Sequence, residues 1–235
     1  MTDIKADLQY AAAKIGPFAR VRMPTEEQVA RLGAELPPSL VWFLETYGFG
    51  ECFDGLFRLS DAEPLRPVLA LVFEADADLD HDDCSAVAYT AFGTVHLWSK
   101  RFGVLTVDLP AGQVFCQALA PTLFKGMAET PRIPHNDDRM TTALLPFEMD
   151  DVDYSDADDE PMFARCVEQH GPLEPDECYG FFPALAIAGP SGPKRRVENI
   201  RRVKALEHFA ILAQLATFHL TRIGPNGFEE VRRIG

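Results

Sequence analysis

Two acidic runs and a few histidines and cysteines are the residues of this 235-residue chain whose types and spacing could do chemistry. The first run spans Glu74 to Cys84, and its Asp76-x-Asp78-x-Asp80 spacing is that of a calcium loop. Such a loop needs glycine at its sixth position for the turn and a bidentate glutamate at its twelfth. His81 and Val87 stand there instead, so the pattern fails where the geometry is strictest. His81-x-x-Cys84 and Cys166-x-x-x-His170 each offer half of a zinc site, and neither has a second half at the usual spacing. His135-x-x-Asp138 has a spacing that some nucleases use. A nuclease with a formal charge of −14 would repel its substrate. Gly189-Pro190-Ser191-Gly192-Pro193-Lys194 has the outline of a phosphate loop. It lacks the Gly-Lys-Ser/Thr ending, and its prolines remove N–H groups that such a loop donates. No Gly-x-Ser-x-Gly elbow is present. The expectation is a protein that is not an enzyme and needs no cofactor or metal. Metal-assisted hydrolysis by His81, Asp82, Asp83, His135 and Asp138 is the enzymatic alternative and ranks last.

The acids suit binding better than catalysis. Lys and Arg number 22 against 36 Asp and Glu, a balance that excludes direct binding to nucleic acid or an anionic membrane. It favours a basic partner, whose encounter the runs Glu74–Asp83 and Glu148–Glu160 would speed by electrostatic steering. The first run supplies Glu74, Asp76, Asp78, Asp80, Asp82 and Asp83 as contact candidates. Tight binding comes from apolar and aromatic anchors; the candidates are whichever of Trp42, Phe49, Phe53, Phe57 and Trp98 are exposed. The second run is expected to face inward, toward the cluster Lys194, Arg195, Arg196, Arg201, Arg202 and Lys204.

The elements that must position these residues are written in the apolar spacing. Ile4, Leu8, Ala11, Ala12 and Ile15 make a short amphipathic helix closed by Gly16-Pro17. Thr25-Glu26-Glu27-Gln28 is a capping box that opens a second helix. Pro37-Pro38 pre-sets a third, with Leu40, Phe43, Leu44 and Tyr47 inward and Gly48 at its end. Leu56–Leu59 reads as a strand. Val87–Thr90, Val95–Ser99, Val104–Val107 and Val114–Cys116 read as an antiparallel meander. Met162, Phe163, Cys166 and Val167 begin a helix that Gly171-Pro172 stops. The spacing of Val197, Ile200, Val203, Leu206, Phe209, Ala210 and Ala213 predicts one long helix, with Glu198 near its N-terminus. From Leu206 to Leu220 the apolar residues run round most of its circumference, so several partners should bury it; Leu206, Phe209, Leu212 and Leu215 are expected inside. Pro121, Pro131 and Pro134 break the region between the meander and the second acidic run. The last residues have little periodicity and are expected to be a poorly packed tail.

These blocks carry a family resemblance. Leu36-Pro37, Phe43-Leu44, Tyr47-Gly48, Asp54-Gly55-Leu56-Phe57, Ala91-Phe92-Gly93 and Leu97-Trp98 resemble the first half of the GAD-like proteins. Tyr179-Gly180-Phe181, Pro183-Ala184-Leu185-Ala186 and Val203 to Gln214 resemble their C-terminal half. That group includes immunity proteins for DNase effectors of the type VI secretion system. The resemblance implies an antitoxin that binds a cognate toxin, a basic nuclease, and blocks it stoichiometrically. The Leu36-Pro37, Phe43-Leu44, Tyr47-Gly48 pattern is also similar to the SUKH immunity superfamily, which leaves open a non-enzymatic binding or regulatory module with a non-nuclease partner.

The expected fold is α+β: N-terminal helices with a small antiparallel sheet over residues 1–117, a GAD-like domain, then a mainly helical C-terminal immunity-protein domain over 118–220 and a tail over 221–235. The polar N-terminus, with Asp3 and Asp7 where a signal peptide would be basic and then apolar, points to the cytoplasm. Five scattered cysteines without Cys-x-x-Cys are expected to be reduced thiols.

Overall fold

The structure, a computed structural model, describes residues 4–122, 134–190, 192–224 and 227–235. Asp3, Pro131 and Ser191, each singled out in the sequence, lie outside the described residues. In chain order the elements are α1 (Ile4–Lys14), β1 (Ala19–Arg22), α2 (Glu26–Glu35), α3 (Pro38–Tyr47), β2 (Phe49–Cys52), β3 (Phe57–Leu59), α4 (Arg66–Val72), β4 (Cys84–Thr90), β5 (Thr94–Ser99), β6 (Gly103–Asp108) and β7 (Gln113–Cys116). They continue with α5 (Phe163–His170), β8 (Glu177–Phe181), α6 (Leu185–Ala188), β9 (Ile200–Lys204), α7 (Ala205–Leu215), β10 (His219–Gly224) and β11 (Gly227–Arg233).

The class is α+β, but the sheet is large. Among the described residues, nine strands join in the order β1-β2-β3-β4-β5-β6-β7-β10-β11. Every neighbouring pair is antiparallel except β7 and β10, where Gln113 stands beside His219. A parallel neighbour cannot be reached by a tight turn and needs a long crossover. Here the crossover is everything between β7 and β10, so the second half of the chain is an excursion from one sheet. The mainly helical C-terminal layout is corrected accordingly: that half also holds the antiparallel pair β8–β9 and supplies two strands to the main sheet. The expected loose tail is corrected too. Its residues 221–224 belong to β10 and 227–233 form β11, which is the sheet's outer edge.

The local signals act through ordinary chemistry. Thr25 Oγ1 accepts from the Gln28 N–H at 3.2 Å, and Gln28 Oε1 accepts from the Thr25 N–H at 2.9 Å. This reciprocal cap satisfies two orphan donors at the start of α2. Pro38 opens α3 and Gly48 ends it at φ 83°. A side chain at Gly48 would also meet the Arg22 carbonyl oxygen at 2.6 Å, so the close approach of β1 requires glycine there as well.

Alternate residues of the meander feed two cores, one on each face of the sheet. Val95 and Leu97 of β5, with Leu105 and Val107 of β6, pack with α4 and α7. Trp98 faces the other way, into a core with Leu8, Leu40, Phe43, Phe163 and Tyr179. The long helix expected from Val197 onward is shorter than its spacing suggests. Ile200–Lys204 is strand β9, paired with β8 through Cys178 opposite Val203 and Tyr179 opposite Arg202. Ile200 and Val203 are β-branched and suit a strand once a partner is in reach. Glu198 therefore lies in a short 3-10 turn and not at a helix terminus. Within α7, Phe209 and Leu212 are buried as expected, whereas Leu206 and Leu215 are 42% and 45% exposed. The reason is that only one layer of the chain, the sheet with α4, covers the helix.

Candidate functional site

The first acidic run is not a uniformly solvated loop. The Asp76 side chain is 1% exposed and is held by Arg232 of β11, which also reaches Asp78 Oδ2 at 2.8 Å. Asp76 Oδ1 further accepts from the N–H groups of Asp78 at 3.0 Å and Leu79 at 2.9 Å. Burial alone would raise the Asp76 carboxyl, but the Arg232 and backbone hydrogen bonds prevail and hold it well below the usual carboxylate range. Arg101 donates to the Asp78 carbonyl and the Lys100 N–H to that of Asp83, which pins the loop to the β5–β6 turn. Glu74, Asp80 and Asp82 remain exposed, and Asp83 is half-buried. Asp76 and Asp78 therefore serve the fold.

The metal and nucleophile candidates disperse. Cys84 is buried, and its thiol is pushed up to about 12 by that burial, away from His81 on the surface. Cys166 is buried in the core while the His170 Nε2 lies 2.9 Å from the Val197 carbonyl. Asp138 accepts from the Ser39 N–H at 3.1 Å and the Ser39 hydroxyl at 2.6 Å, tying its segment to the first turn of α3. In the phosphate-loop-like segment, the N–H of Gly192 is used by the Gly189 carbonyl and that of Arg195 by Gly192. Among the described residues, no group of three or more His, Cys, Asp or Glu is placed to hold a metal.

The second run folds on itself and on the basic segment. Asp156 accepts from the N–H groups of Asp158 and Glu160 and from Arg165, while Asp158 pairs with Arg196 at 2.6 Å. Nearby, Asp108 at the end of β6 accepts from the Tyr154 hydroxyl at 3.2 Å and the Ala111 N–H at 2.9 Å. Burial outweighs these bonds and the Arg195 charge, and raises the Asp108 carboxyl to about 6.

The aromatic anchor candidates divide in the same way. Phe49, Phe57 and Trp98 are 4%, 0% and 4% exposed, so they are buried residues and not exposed anchors. Phe57 and Trp98 lie inside the core and Phe49 lies beneath Arg22, which the short sequence runs do not reveal. Trp42 and Phe53 are half-buried. The Lys5 ammonium stands 5.1 Å from the Trp42 ring centroid.

A surface absent from the sequence reading lies along α7. On one flank, α7 and the loop before β8 border a trough of about 370 Å³ across β1–β4, with Phe49, Leu59, Tyr89 and Leu206 among its apolar lining. Two arginines close it: Arg22 lies 4.6 Å from the Phe49 ring centroid, and Arg58 faces Glu51 at 3.2 Å. Arg58 Nη1 also donates to the carbonyls of Pro175 and Glu177 at 3.1 and 2.7 Å, fastening the trough's floor to its far wall. On the other flank is a concavity of about 220 Å³ among Phe181, Phe182, Ala184, Val203, His208 and Ile211. Phe182 stacks on His208 with centroids 5.9 Å apart, and Arg201 lies 5.0 Å from the Phe182 ring. Burial lowers the His208 pKa, because desolvation disfavours the charged ring. Glu207 lines both hollows.

Residues 8–110 match the GAD-like domain family, and residues 141–216 match the C-terminal domain of the T6SS immunity protein Tdi1. The chain belongs to the GAD-like immunity proteins of the type VI secretion system. The immunity protein also shares its fold with the crystal structure of Atu4351 from Agrobacterium tumefaciens, at 24% identity and a TM-score of 0.79 over 96% of this chain and 97% of that one. No curated protein sequence matches it. The trough draws Val21 to Tyr89 from the first matched segment and Pro175 to Glu207 from the second, so it exists only where the two are folded together. Among the described residues of the immunity protein, no helix is long and apolar enough to cross a membrane.

Proposed function

We propose that this immunity protein neutralises a DNase toxin of the type VI secretion system by stoichiometric blockade, with no chemistry of its own. The match of residues 141–216 to an immunity-protein domain carries the reading, because an immunity protein acts on a cognate toxin. Charge supports the nuclease assignment. A DNA-cleaving enzyme must present a basic cleft to hold phosphates, and a chain of net charge −14 is attracted to such a cleft. Glu74, Asp80, Asp82 and Asp83 would steer the encounter, and the half-exposed Trp42 and Phe53 stay as anchor candidates on the same half of the chain. The protein acts in the cytoplasm, where a delivered DNase meets DNA. Co-purification with the product of the adjacent gene as toxin candidate, followed by titration into a plasmid-cleavage assay, tests this. Cleavage should vanish at one equivalent. A toxin that forms no complex, or one whose activity is not directed at DNA, would refute the corresponding part.

A further inference from the structure

The helix α7 carries apolar residues round most of its circumference, and the fold covers only part of it. Ala205, His208, Phe209, Leu212 and Ala213 face the sheet and are buried. On the open side, Glu207, Ile211 and Leu215 follow one another at four-residue spacing and make a single stripe. Ile211 is 56% exposed and Leu215 45%. Leu206, on the opposite flank, overhangs the trough. Phe182, at the far rim of the second concavity, is 38% exposed. Exposed apolar groups gathered in this way and rimmed by polar residues mark protein contact sites. The hollows on either side give the shape that anchor residues need.

We infer that α7 and its two flanking hollows form the surface that holds the toxin, with the helix ridge seated between two apolar side chains of the partner and a basic residue of the partner on Glu207. This rests on the immunity reading above. Charge decides the occupant. The Lys204 ammonium is bound to Asp176 at 2.6 Å and attracts Glu207 only as a nearby charge; Glu207 stands exposed between the hollows with no direct salt bridge among the described residues. A partner side chain settling into either hollow meets that carboxylate, which favours lysine or arginine beside it. A second copy of this chain would bring −14 against −14, which opposes self-association through the same face. The acidic loop Glu74–Asp83 then acts on the rate of encounter, while the α7 surface sets how long the complex lasts.

The test uses the full-length chain and a catalytically inactivated copy of its cognate toxin. Leu206→Asp and Ile211→Asp replace exposed residues, so their melting temperatures should stay near wild type. Each should weaken toxin binding at least 100-fold, mainly through faster dissociation. Glu207→Lys should slow association and weaken binding at least 10-fold. Val231→Asp, a similarly exposed apolar position on the edge strand β11 that lines neither hollow, should bind like wild type. Wild-type affinity in all three α7 variants, while the unaltered protein still binds and inhibits the toxin, would overturn the surface and leave the immunity reading standing. An unaltered protein that binds no toxin would overturn that reading first. A wild-type dimer that Ile211→Asp converts to monomer would show that a second copy covers the ridge, and would also overturn the assignment.

Discussion

Arg232→Ala should cost the fold about 3 kcal/mol, although Arg232 is three residues from the end of the chain. Its guanidinium contacts both oxygens of Asp76, whose side chain is 1% exposed, and Nη2 also reaches Asp78. Removing it leaves a buried carboxylate with the N–H groups of Asp78, Leu79 and, at 3.4 Å, Gly235 as donors. Breaking a buried ion pair in this way usually costs about 3–5 kcal/mol. Arg232 itself is 32% exposed, so water can enter in its place and the lower end applies. Asp76→Asn keeps a carbonyl oxygen for the two N–H groups but loses the charge; the weakened bonds should cost about 2 kcal/mol. The double variant should be less destabilised than the sum by about 2 kcal/mol, since both changes remove one interaction. Urea unfolding at neutral pH, followed by circular dichroism, gives all three values. Acid adds a second readout. The Asp76 pKa is depressed in the folded state, so its stabilisation is present above the unfolded value of about 3.9 and is lost as pH falls through the folded one. Asp76→Asn should therefore flatten the acid limb of the stability curve. A coupling below about 0.5 kcal/mol would refute the pairing of loop and terminal strand.

Leu212→Ala, at a position 2% exposed between α7 and the sheet, should destabilise by about 2–5 kcal/mol, and Ile211→Ala one residue earlier by no more than about 0.5 kcal/mol in thermal melts. Asp108 works in the opposite sense to Asp76. Its pKa is raised in the folded state to about 6, so its favourable effect is complete below the unfolded value and is lost as pH rises through 6. Asp108→Asn should thus melt higher than wild type at pH 8 and show no advantage at pH 4; equal differences at both would sink the assignment. Exchange of Glu74, Asp80, Asp82 and Asp83 for their amides should slow toxin association and flatten its salt dependence with little change in melting temperature. Stopped-flow mixing at two salt concentrations decides, and an unchanged rate would remove these acids from the encounter.

Short-range physics was legible in the chain. The Thr25 capping box, the Pro38 start and Gly48 stop of α3, and the four strands of the meander each rest on signals within about ten residues. The resemblance in the blocks from Leu36 to Gln214 pointed to the family that residues 8–110 and 141–216 match. What the sequence could not determine depends on partners far along the chain. Ile200 and Val203 fit a helix by spacing and a strand by shape, and only the presence of β8 decided between them. The last fifteen residues lack periodicity because an edge hairpin with one parallel neighbour buries little, yet β10 completes the sheet across more than a hundred residues. Asp76 looked like its neighbours in an acidic run; the arrival of Arg232 made it a buried structural group. Phe57 and Trp98 could have been anchors until the core closed over them, and Phe49 until Arg22 settled over its ring. Composition and nearest-neighbour chemistry are properties of the chain itself, and so they set the charge, the caps and the turns. Which apolar residues of α7 stay in water depends on how many layers the fold lays over that helix, and that is decided only when distant segments pack.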